Sequence, residues 1–79
     1  MHNLTSTSPA RYQIVVQGVA EAAEAAKYGM TIISVEFVDQ TTITTLVAEV
    51  SDQSKLMELF RCLLDKGLPI VKAQLLSPR

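Results

Sequence analysis

Hydrophobic and polar positions alternate from Tyr12 to Gln17, with Tyr12, Ile14 and Val16 on one side and Gln13, Val15 and Gln17 on the other. That period of two predicts a half-buried strand, and Gly18 permits a turn after it. The period then changes. Ala20, Ala22, Ala23, Ala25 and Ala26, mixed with Glu21, Glu24 and Lys27, predict a short helix from Val19 to Tyr28 that Gly29 closes. Two β-branched runs follow, Met30 to Val38 and Thr42 to Val50, and the polar break Asp39-Gln40-Thr41 predicts an antiparallel hairpin. Leu56, Leu59, Phe60, Leu63 and Leu64 fall at i, i+3, i+4, i+7 and i+8, the spacing of one helix face. Ser51 or Asp52 supplies its N-cap and Gly67 its terminator. Pro69 blocks further helix, and Ile70 to Leu76 reads as a last strand.

With right-handed crossovers, this order predicts an α+β fold, a ferredoxin-like βαββαβ sandwich with a four-stranded antiparallel sheet and two helices on one face. Residues 1–10, rich in Ser, Thr and Asn, read as a flexible N-terminal tail, 11–76 as the single domain and 77–79 as a short C-terminal tail. Simple alternation assigns Tyr12, Ile14, Val16, Ile33, Val35, Phe37, Leu46, Ala48, Val50, Val71, Ala73 and Leu75 to the helix-covered face. On the opposite face, Val15, Ile32, Ile43, Val47, Ile70 and Leu76 are large and apolar. A patch of that kind on a small domain marks an interaction site, and a second copy of the chain is the simplest partner. These six residues are therefore the expected interface of a homodimer or of a complex with another protein. A small ligand held at such a seam is the open alternative.

Composition narrows the classes. The chain has 79 residues, 48% of them apolar, and a net charge of −1, which excludes a second domain and argues against disorder. So small a domain buries only about 60% of the surface of its unfolded chain. Cys62 is the single cysteine, so no internal disulfide supports the fold. Seven Lys and Arg against eight Asp and Glu, with Lys27, Lys55, Arg61, Lys66 and Lys72 scattered, give no phosphate-binding surface, and no nucleic acid partner is expected. No run approaches the roughly 20 apolar residues of a membrane span, and MHNLTSTSPA lacks a leader, so a cytoplasmic protein with no membrane contact is expected.

Residues for catalysis are scarce. His2, the only histidine, lies in the predicted tail. Cys62 sits toward the carboxyl end of its helix, where the dipole disfavours a thiolate, and reads as a partly buried, inert thiol. One cysteine and one histidine do not furnish a zinc set, and the acids show no calcium-loop spacing, so no metal and no cofactor are expected. Glu36 and Glu49 share a predicted sheet face and are the one candidate acid–base pair, with solvated surface acids as the simpler reading. Gly18 alone makes no phosphate loop, and Thr42 to Val50 offers no aromatic or basic residue for stacking RNA bases. The expectation is a protein that is not an enzyme.

Ser51-Asp52-Gln53, followed by Leu56, Leu59 and Leu63-Leu64 and then by Lys66-Gly67-Leu68-Pro69-Ile70-Val71, resembles the carboxyl half of a family of small uncharacterised bacterial proteins. The strand Tyr12-Gln13-Ile14-Val15-Val16-Gln17-Gly18 and the Thr-rich stretch Thr41 to Thr45 are similar to the matching parts, so the resemblance spans residues 11–76. It implies a bacterial protein and no assigned activity. The topology also resembles ACT domains, regulatory modules that pair their sheets or edges and often bind amino acids between subunits. In those domains a glycine after the first strand helps form the ligand site, and Gly18 matches it. Two functions are thus expected: a protein-interaction module that self-associates through its open sheet face, or an ACT-like amino-acid sensor with Gly18 and the start of the first helix at its ligand site.

Overall fold

The structure, a computed structural model, describes residues 9–78. Its elements are β1 (Ala10–Gln17), α1 (Ala22–Lys27), β2 (Met30–Val38), β3 (Thr41–Val50), α2 (Gln53–Asp65) and β4 (Ile70–Pro78). The expected tail up to residue 8, including His2, and residue 79 lie outside the described residues. All strand pairs are antiparallel and the sheet order is β2-β3-β1-β4. The architecture is α+β, an open four-stranded sheet with two helices.

The central pair β1 and β3 anchors the core, because their alternation leaves one side largely apolar, with only Thr42, Thr44 and the Tyr12 hydroxyl polar. Ile14 lies opposite Leu46 and Val16 opposite Thr44, all four fully buried. Ala25 of α1 and Leu56, Leu59 and Leu63 of α2 join the same cluster, so both helices cover that side. The β2–β3 hairpin turns on Asp39 and Gln40, with φ of 49° and 65°, the left-handed pair that matches the twist of two adjacent strands.

Local chemistry sets the ends of α2. Asp52 is its N-cap and accepts a hydrogen bond from the Lys55 amide at 3.0 Å. At the other end Gly67, at φ +76°, lets the Leu68 amide reach back to the Leu63 carbonyl and the Gly67 amide to the Leu64 carbonyl, both at 3.0 Å. This double closure satisfies two free carbonyls and turns Leu68 into the core. α1 is shorter than the alanine run predicts: it begins only at Ala22, Glu21 makes no side-chain cap, and Ala25 is its one buried residue. Alanine favours helix but buries little area, so a second turn gains little from packing.

The strand faces differ from simple alternation. On β2, Ile32 lies opposite Leu46 but Ser34 lies opposite Thr45, so Ile33 is an extra residue. On β4, Ile70 lies opposite Val16 but Lys72 opposite Val15, so Val71 is extra, and Leu76 is extra between Leu75 and Ser77. Each bulge inverts the face assignment beyond it. Ile32 and Ile70, expected on the open face, therefore stand on the helix-covered side and pack against the core. Ile33 and Val71, expected in the core, are 59% and 57% exposed. Val35, Phe37, Ala73 and Leu75 keep their expected side but are exposed, because they lie on edge strands.

Candidate functional site

The open face of the sheet is built in rows. Gln74, Gln13, Val47 and Thr31 form one; Lys72, Val15, Thr45 and Ser34 the next; Gln17, Ile43 and Glu36 a third. Of the six residues expected to form an interface, the structure brings three to the middle of this face, Val15 on β1 diagonal to both Ile43 and Val47 on β3, all half-buried. Leu76 is exposed at its bulge on the β4 edge, and Ile32 and Ile70 belong to the covered side. The apolar centre is thus narrower than expected, is interrupted by Thr45 and is framed by Gln13, Gln17, Thr31, Ser34 and Gln74.

Among the described residues, four charged side chains lie on this face. Arg11 Nη2 donates to Glu49 Oε2 at 2.8 Å across β1 and β3. Glu36 on β2 and Lys72 on β4 stand at opposite edges, both exposed, and among the described residues neither takes part in an ion pair. Glu36 and Glu49 do not converge. Glu36 pairs with Ile43, which lies six residues from Glu49 along β3, so the two carboxylates are about 20 Å apart.

Gly18 is placed by main-chain needs. Its φ of +107° is one that residues with a Cβ rarely adopt, its amide donates to the Thr42 carbonyl at 2.8 Å, and its carbonyl accepts from the Thr44 hydroxyl at 2.6 Å. A Cβ there would meet Leu68 Cδ2 at 2.7 Å. Gly18 therefore lies beneath Leu68, whereas the residues after it, Val19 to Glu21, line a cleft between α1 and α2.

That cleft encloses about 280 Å³. Ala25, Met30, Leu63 and Leu68 form its apolar floor, and Glu24, Tyr28, Cys62 and Lys66 its rim. Lys66 Nζ meets Glu24 Oε1 at 3.3 Å, and this hydrogen bond, aided by the attraction of the two charges, raises the lysine above its ordinary value. A hydrogen bond with Cys62 raises the Tyr28 hydroxyl above its ordinary value. The cysteine thus sits half-buried at a rim made by both helices. No spacing in the sequence signals that Tyr28 and Cys62 meet, since Tyr28 follows α1 and Cys62 lies far along the chain in α2.

Among the described residues, no group of three His, Cys, Asp or Glu side chains is placed to hold a metal ion. No described helix is long and apolar enough to cross a membrane. Compared with models of protein families, with curated proteins and with solved structures, the chain matches none.

Proposed function

We propose that this chain is a ferredoxin-like module without catalytic activity, cytoplasmic and bacterial in setting, that works by self-association through the open face of its sheet. The observation that carries the reading is the set of Val15, Ile43 and Val47 on the adjacent central strands, with Val15 diagonal to the other two, outside the core and covered by no element among the described residues. Isolated apolar side chains on a surface need no explanation, but three at diagonal positions on two paired strands, about 7–8 Å from one to the next, make a narrow strip. Four strands about 4.8 Å apart and some eight residues long offer about 500 Å² per copy, so two copies bury about 1,000 Å², the lower bound of a specific interface.

The test is solution mass by light scattering over a dilution series. The wild-type chain is expected to give a dimer that dissociates at low concentration, and Val47→Asp, which places a charge in the strip, to give a monomer of unchanged circular dichroism. A wild-type monomer at every concentration overturns the reading.

A second reading rests on a different observation. The segment leading into α1, which the resemblance to amino-acid-sensing domains places with Gly18 at a ligand site, lines the cleft between the helices. Its volume suits a compact molecule with an apolar body and a polar end. Ligands that bind only the folded state raise the melting temperature, so a thermal-shift screen with amino acids and other small metabolites tests it. No shift with any of them counts against this reading and leaves the first untouched.

A further inference from the structure

The charges at the margins of the open face determine how two copies would lie on one another. Arg11 and Glu49 neutralise each other within one copy. Glu36 and Lys72 do not: they occupy the two outer strands, and among the described residues each lacks an ionic partner. They stand one row apart, since Lys72 is level with Val15 and Glu36, through Ile43, with Gln17. That offset is about 7 Å along the strand, within the combined reach of an extended lysine and a glutamate.

Two identical faces pack against each other about a two-fold axis lying in the plane between them. An axis across the strands sets β2 against β2 and β4 against β4, which opposes Glu36 to Glu36 and Lys72 to Lys72. An axis along the strands sets β2 against β4, which opposes Glu36 to Lys72 twice. Like charges at a margin disfavour the first and opposite charges favour the second, while the apolar strip on the central strands is buried in either.

We infer that two copies of this chain pack open face to open face about a two-fold axis parallel to the strands, with Lys72 of each against the partner subunit's Glu36. The inference rests on the proposed self-association and adds to it an orientation and a pair of residues that specify it. Sheets packed in this way keep their strands aligned within about 30°.

A charge exchange tests the arrangement. Glu36→Lys alone and Lys72→Glu alone each replace two attractive contacts per dimer with two repulsive ones, and each is expected to raise the dissociation constant about tenfold at low salt. The double variant E36K/K72E restores opposite charges and is expected to return to within about threefold of wild type, and 1 M salt to shrink all of these differences. Both positions are exposed, so the circular dichroism of all variants should stay close to wild type, as should their melting temperatures at concentrations where every chain is monomeric. A dimer that neither single exchange weakens, or that the double variant fails to restore, overturns the orientation while self-association stands. A wild-type chain that is monomeric throughout overturns both.

Discussion

The Thr44 hydroxyl donates to the Gly18 carbonyl at 2.6 Å, and Thr44 is the one buried polar residue among those described. The bond ties the turn leaving β1 to the middle of β3, next to the point where Val16 lies opposite Thr44. Thr44→Val keeps the shape of the side chain but leaves that carbonyl without its partner. A loss of about 1–3 kcal/mol in unfolding free energy, measured by urea denaturation, is expected. An unchanged midpoint would show that water satisfies the carbonyl as well.

Gly18→Ala combines two costs, a left-handed backbone that an alanine resists and a Cβ pressed against Leu68 Cδ2. About 1–3 kcal/mol of destabilisation is expected, again by urea denaturation. Gly29 has φ of +75° but only an ordinary contact at 3.5 Å, so Gly29→Ala should cost less. Equal losses at the two sites would mean that backbone conformation alone, without the Leu68 contact, determines the cost.

The bulge on β2 separates two adjacent isoleucines. Ile32→Ala removes a side chain packed against the core and should cost about 2 kcal/mol. Ile33→Ala, at the exposed extra position, should change stability by less than about 0.5 kcal/mol. The reverse order would mean that the strand follows uninterrupted alternation and carries no bulge.

The rim of the cleft has an alkaline signature. Lys66 is raised above 10.5 by its hydrogen bond to Glu24, and Tyr28 above 10.0 by its hydrogen bond to Cys62. For both groups the folded pKa exceeds the unfolded one, so the stability they contribute is complete below about pH 10 and lost as pH rises through the folded values. The melting-temperature difference between wild type and Glu24→Gln should therefore be constant from pH 7 to about 10 and narrow above it. A difference that widens at high pH contradicts the pairing.

Much of the secondary structure is legible in the sequence because its causes are local. The leucines of α2 repeat at the helical period, Asp52 caps it and Gly67 ends it, and each device acts within about one turn. The candidate interface was only half legible. Val15, Ile43 and Val47 lie on β1 and β3, which pair without a bulge, so alternation placed them correctly on the open face. Ile32 and Ile70 lie on β2 and β4, whose extra residues become visible only against the neighbouring strand.

By itself the sequence determined the order of the elements, the hairpin turn and the ends of the second helix, since hydrophobic period, turn residues and caps are properties of neighbours along the chain. Tertiary structure alone decided which side chains of the outer strands reach the core, that Glu36 and Lys72 flank one narrow apolar strip, and that Tyr28 meets Cys62. Those relations depend on strand register and on the distance between helices, which are set by the packing of segments far apart in the chain.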